Sequence, residues 1–183
     1  MNNNTIESHP LQPFLPENAR ILMLGSFPPK KEKWSMEFFY PNWINDMWRI
    51  WGLIFYNDKH YFEIKGEKRF DKDKIVSFCK DEGFALYDTA SEVIRLKDNA
   101  SDKFLEVVKQ TDVKALLDTL PECENIVTTG QKATDIIIDI FQCAFSFSFI
   151  LHPFAEYFKQ NKKKFSWNNI RQYIRIGVYI CKY

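Results

Sequence analysis

The sequence contains no apolar run approaching the roughly 18 residues of a membrane-spanning helix. Its opening, "MNNNTIESHP", lacks the basic-then-apolar order of a secretory signal. Together these absences lead to the expectation of a cytoplasmic protein without membrane contact. Cys79, Cys123, Cys143 and Cys181 form no C-x-x-C pair, and His9, His60 and His152 are equally dispersed. Neither a disulfide framework nor zinc-ligand spacing is present, so the thiols are expected buried and reduced, with no metal bound. Nucleotide motifs are missing as well. "LGSFPP" (24–29) is not the Gly-rich dinucleotide fingerprint, and there is no G-x-x-x-x-G-K-[ST] loop. No G-x-S-x-G elbow and no H-x-E with P-C-x-x-C occurs, which removes support for a serine nucleophile or a zinc deaminase. A nucleotide cofactor enzyme is thus unsupported.

At 183 residues the chain is long enough for one domain with a real core and too short for two to be the natural reading. One domain over 1–183 is expected, with 1–18 as an irregular N-terminal segment. There is no internal repeat, no interdomain linker, and no low-complexity tract beyond "NNN" and "NKKKF". Hydrophobic residues make up 45% and charged residues 27%, an ordinary globular composition. Aromatics are abundant at 16%, which fits either a Phe-rich core or a surface that stacks on flat ligands. The net charge is only +1, yet Lys159, Lys162, Lys163, Lys164, Arg171, Arg175 and Lys182 fall in a C-terminal stretch without Asp or Glu. The preceding 158 residues carry 18 basic and 24 acidic side chains, net −6. Such a basic end is either a solvated helix face or a phosphate-binding edge.

"ARILMLGS" (19–26) reads as a buried strand running into a loop at Pro28 and Pro29. "IVSFCKDEG" (75–83) has helical spacing with a glycine stop, and "FALYDTA" (84–90) is a second short strand. "DVKALLDTLP" (112–121) is an amphipathic helix ended by Pro121, "NIVTTG" (125–130) a third strand, and "QKATDIIIDIF" (131–141) a further helix. "FSFSFIL" (145–151) reads as a fourth strand, and "YIRIGVYICK" (173–182) as a late one at a sheet edge. Alternating helices and near-continuous apolar strands predict an α/β fold: three αβα layers around a central, mainly parallel four-stranded sheet.

Open α/β sheets bind ligands beyond the carboxyl ends of their strands. Those ends carry Gly25, Ser26 and Phe27, then Asp88, then Thr129 and Gly130, then His152. Asp88 and Ser26 are equally good turn formers, and a lone histidine after a strand can be structural. A further segment, "FFYPNWINDMWRIWGLIF" (38–55), sets Asn42 and Asn45 among rings before a buried helix.

In order, "LGSFPP" (24–29), "FFYPNWINDMWRI" (38–50), "GFALYDTA" (83–90), "NIVTTGQKA" (125–133) and "ILHPF" (150–154) resemble the uracil-DNA glycosylase superfamily. The nearest likeness is its branch of hypoxanthine (deoxyinosine) and mismatch-type glycosylases. Asn45, Met47, Trp48, Arg49 and Ile50 match that branch's Asn-x-Phe-Trp-Arg-Ile pattern with one conservative change. Gly83, Ala85, Leu86 and Asp88 match its Gly-Ile-Ala-Leu-x-Asp strand, and Gly130, Lys132 and Ala133 its Asn-Gly-x-Lys-Ala turn. The likeness spans about residues 20 to 170. It departs at Ile44 and Asp46, which flank Asn45, and at Phe154, where the family commonly has serine.

The resemblance implies a monofunctional DNA repair enzyme that excises a deaminated base, uracil or hypoxanthine, from DNA by base flipping, with DNA as partner and no metal or redox cofactor. Nothing in the sequence indicates an obligate oligomer, so a monomer is the default. Asn45 would orient the attacking water, and His152 would stabilise the departing base. Gly25, Ser26, Phe27, Phe39, Tyr40 and Asp88 would surround the base, with Phe27, Phe39 or Tyr40 stacking on it. Because a carboxylate accepts but does not donate, Asp88 argues against strict uracil reading by an amide. Lys159, Lys162, Lys163, Lys164 and Arg171 would meet phosphates. Asn45 can instead be a helix cap, and Asn42 a turn residue. Two other readings stay open: a catalytically silent nucleic-acid- or partner-binding protein on this fold, and an unrelated hydrolase of a small nucleoside-like substrate.

Overall fold

The computed structural model describes residues 5–96, 102–141 and 178–182. Its centre is β2 (Ile21–Gly25), an apolar strand buried on both faces. It pairs in parallel with β3 (Phe84–Asp88) on one side and β6 (Asn125–Thr129) on the other. β7 (Val178–Lys182) adds antiparallel to β6, giving the order β3-β2-β6-β7. The backbone of Phe14 bridges Leu86 on the far side of β3.

Alternation along β2 decides which helices each side chain meets. Met23 joins Phe84, Leu86 and Val127 in a cluster with α1 (Met47–Tyr56) and α2 (Lys72–Glu82). Trp48, Trp51 and Phe55 of α1 and Ile75, Phe78 and Cys79 of α2 recur at the three- and four-residue spacing of one helix face. Burying a side chain such as Phe78 stabilises the fold by about 3 kcal/mol. Leu22 and Leu24 point the other way, onto Val113 and Leu117 of α3 (Val113–Asp118) and Ile137 of α4 (Gln131–Phe141). Helices therefore cover both faces of the parallel strands, as continuous apolar strands require.

Local chemistry sets the helix ends. Asp71 and Asp112 accept from the backbone N–H groups of Lys74 and Ala115, capping α2 and α3. Gly83 closes α2 at φ 73°, where an added Cβ would lie 2.8 Å from the Asn18 carbonyl. Its own carbonyl accepts from Arg20 and Ile21, so the end of α2 is stitched to the start of β2.

A second sheet was not foreseen. β1 (Ile6–Ser8), β4 (Ala90–Arg95) and β5 (Leu105–Gln110) form an antiparallel sheet in the order β1-β4-β5. The expected irregular segment 1–18 thus contains a strand. β4 and β5 are half-exposed and polar, so they lack the apolar runs that mark the parallel strands. Lys132 of α4 ties the two sheets together by donating to the Leu105 carbonyl at 2.6 Å. The four-stranded sheet is parallel in three strands, and its described fourth strand, β7, is antiparallel. The strand expected over 145–151 lies outside the described residues.

Candidate functional site

Gly25 and Asp88 end neighbouring parallel strands in register. Beyond Asp88 the chain turns at Thr89, fully buried, whose N–H and hydroxyl both donate to the Gly25 carbonyl at 2.8 and 3.1 Å. The Thr111 hydroxyl donates to the Asp88 carbonyl at 2.7 Å. These bonds hold the corner between the two sheets and fix where the Asp88 side chain leaves the backbone. A Cβ built on Gly25 would collide with Oδ1 of Asp88 and lie 3.6 Å from Oγ1 of Thr129. Glycine is needed here because the carboxylate occupies the space a side chain would take.

The partner of that carboxylate is His9, which sequence reasoning counted only as a dispersed histidine. His9 Nε2 lies 2.8 Å from Asp88 Oδ2, with side chains 2% and 9% exposed. The His9 N–H donates to the Ser91 carbonyl, so the pairing of β1 with β4 delivers the ring to the strand end. Tyr87, Phe27 and Phe39 surround the imidazole at centroid distances of 4.6, 5.3 and 6.3 Å. Arg95, with only 4% of its side chain exposed, grips Glu7 through Nε and Nη2 and reaches the Pro28 carbonyl at 3.2 Å. It thereby ties β1 to the loop after Phe27. Burial, and after it the Asp88 carboxylate, pushes the Tyr87 phenol above its ordinary value.

Tyr40 reaches the same rim from the loop before α1. Its hydroxyl lies 3.0 Å from Oγ1 of Thr129, and its ring meets Trp48 edge-on at 6.0 Å. Ser26 is buried beside the corner. The other expected stacking rings sit deeper: Phe39 is 4% exposed in the core, and Phe27 packs on Ala90, Val93 and Leu105. Of the three, Tyr40 keeps the most open ring, since it is only half-buried. Gly25, Ser26, Phe27, Phe39, Tyr40 and Asp88 are thus gathered around one strand-end rim.

Asn45 stands at the head of α1, and its Oδ1 accepts from the Met47 N–H at 2.8 Å. This two-residue turn bond leads the chain into α1, while Asp46 at the boundary makes no capping bond. Asn42 accepts from the Ile44 N–H at 3.1 Å, the turn role expected of it. Arg49 braces this loop: it donates to Glu63 at 2.6 Å and to the Trp43 carbonyl at 2.8 Å, and lies 4.4 Å over the Trp43 ring.

His152, Lys159, Lys162, Lys163, Lys164 and Arg171 lie outside the described residues. Among the described residues, no three His, Cys, Asp or Glu side chains gather closely enough to hold a metal ion. No helix among them is long and apolar enough to cross a membrane. An open groove of about 790 Å³ runs between β5 and α4, lined by Lys103, Val107, Lys132 and Asp135 among others. It does not include Asp88, Tyr40 or Asn45; the strand-end rim is the stronger candidate because it holds the buried carboxylate at the open sheet's ligand-binding edge.

This architecture has a counterpart among solved structures. The solution NMR structure of a "putative Uracil DNA glycosylase" from Methanosarcina acetivorans matches with a TM-score of 0.56 and 22% sequence identity. The match covers 75% of this chain and 80% of that one. At that identity the likeness is one of fold, the α/β arrangement of helices on a largely parallel sheet. No family model and no curated protein matches the chain.

Proposed function

We propose that this protein is a monofunctional DNA glycosylase that hydrolyses the N-glycosidic bond of a deaminated base, uracil or hypoxanthine, after flipping it from DNA. The observation that carries this reading is the buried Asp88 carboxylate at the strand-end rim, beside the Tyr40 and Thr129 pair, in a fold shared with a glycosylase-like structure. Flipping costs a few kcal/mol, which stacking and edge contacts in the pocket must offset. Tyr40 supplies the stacking ring, and Phe27 and Phe39 pack beneath the rim as its support. Asp88 meets the edge of the base.

Cleavage passes through a sugar with oxocarbenium character, so the site must place a water and stabilise negative charge on the leaving base. Asn45 orients that water. An amide carbonyl has two lone pairs, so the bond from Met47 leaves Oδ1 able to accept once more. An amide is a poor base, and its contribution is orientation. His152 donates to the departing base, and Lys159, Lys162, Lys163, Lys164 and Arg171 contact phosphates.

A second reading, a silent nucleic-acid- or partner-binding protein, is favoured by one observation: the Asn45 side-chain carbonyl already accepts from the Met47 N–H. Single- and double-stranded oligonucleotides bearing uracil or hypoxanthine, incubated with protein and then cleaved at abasic sites, separate the two. Excision that disappears in Asn45→Ala while the fold persists supports the glycosylase. DNA binding without excision of either base supports the silent protein and sinks the first reading.

A further inference from the structure

The feature left unused by that mechanism is the buried His9. We infer that His9 is a positioning residue: it holds Asp88 as a fixed hydrogen-bond acceptor, so that the pocket selects bases carrying a ring N–H on the Watson–Crick edge. This rests on the glycosylase reading for its substrate, but its geometry stands by itself.

The imidazole is held at both nitrogens. Nε2 faces Asp88 Oδ2 at 2.8 Å, and Nδ1 lies 2.8 Å from the Leu11 carbonyl and 3.1 Å from the Leu11 N. The Leu11 N–H donates to Nδ1, which leaves the ring N–H at Nε2, donating to the carboxylate. With the Asp88 backbone pinned by Thr111 and Oδ2 engaged by His9, Oδ1 is fixed over Gly25. Among the described residues, the His9 ring engages Oδ2, while Oδ1 lies over Gly25 at the paired ends of β2 and β3.

An ionised carboxylate oxygen accepts and never donates. Uracil presents N3–H and hypoxanthine N1–H on the Watson–Crick edge, whereas cytosine N3 and adenine N1 present lone pairs there. Deamination is the reaction that turns each lone pair into an N–H. A carboxylate locked against that edge therefore accepts from the deaminated base and opposes its parent, leaving two acceptors face to face. Sites built around a buried polar group reject an analogue that leaves it unpaired by large factors. If His9 is removed, the carboxylate is free to turn, and Oδ1 is no longer held against one edge of the base. Selectivity should fall even where the fold survives.

The test compares wild type, His9→Phe, which fills the ring space, and His9→Gln, which restores a donor. Single-turnover excision is measured on matched oligonucleotides carrying uracil, hypoxanthine, cytosine or adenine. Wild type is expected to prefer a deaminated base over its parent by at least about a hundredfold. His9→Phe should narrow that ratio about tenfold or more in protein that remains folded, and His9→Gln should restore most of it. Wild-type ratios in both variants would overturn the inference. In parallel, the His9 ring ¹⁵N signals of the wild type are followed while deoxyuridine, deoxyinosine, deoxycytidine and deoxyadenosine are added. Shifts with the first two alone support the inference; no shift, or equal shifts with all four, overturn it. If the wild type excises nothing, the glycosylase reading fails and this titration decides the present inference independently. If His9→Phe does not fold, His9→Gln and the titration decide it.

Discussion

The Tyr40 phenol meets the Thr129 hydroxyl at 3.0 Å across 89 residues of chain, and Tyr40 does so from a left-handed backbone at φ 51°. That conformation costs a non-glycine residue on the order of 1–3 kcal/mol and persists only when its surroundings hold it. Here Trp48 does part of the holding: its ring receives Tyr40 edge-on, and its Nε1 donates to the Phe39 carbonyl at 3.0 Å. Tyr40→Phe keeps the ring and removes the hydroxyl, and should cost about 1 kcal/mol of stability. Thr129→Val should cost a similar amount, and the double variant little more than either, as denaturant unfolding will show. Fully additive losses would mean that the two hydroxyls do not act as a pair.

Gly25 and Asp88 compete for the same space. Gly25→Ala should destabilise the protein by about 1–3 kcal/mol, because the new methyl displaces the carboxylate. In an Asp88→Ala background the same change should cost almost nothing. A penalty of equal size in both backgrounds would place the clash elsewhere.

Cys79 packs between α2 and the sheet, and burial holds its thiol far above the ordinary value of 9.0. Alkylation needs the thiolate, so Cys79 should stay unmodified by iodoacetamide at pH 8.5 until denaturant opens the core. The unfolded chain releases this proton first, so the stability Cys79 contributes is present below pH 9.0 and declines as pH rises beyond it. Peptide mass spectrometry reads the labelling. A rate matching the unfolded chain would contradict the burial.

DNA affinity should fall steeply as salt rises, since phosphate contacts release counterions. Neutralising Lys162, Lys163 and Lys164 together should lower the magnitude of the log–log salt slope by about 2–3. A slope left unchanged by the triple variant removes these lysines from the phosphate contacts.

Much of the parallel layer was legible because its signals are local. β2, β3 and β6 are short apolar runs, and α4 occupies the 131–141 expected from its spacing. Gly83 ends α2 where a glycine stop was read. The antiparallel sheet escaped because β4 buries only Ala90 and Val93 and β5 only Leu105, and β1 is three residues long. Asn42 was legible as a turn residue, since its bond lies two residues along the chain.

The site divides along the same line. Sequence alone determined which residues stand at the ends of β2, β3 and β6, because strand length and the following turn are encoded within a few neighbours. It could not determine that Asp88 would be answered by His9, whose place depends on β1 pairing with β4 and on Arg95 holding Glu7. Nor could it determine that Gly25 is glycine to make room for a carboxylate on the next strand. Contacts across 79 or 89 residues leave no periodic mark in either segment, and only the closed tertiary structure decides them.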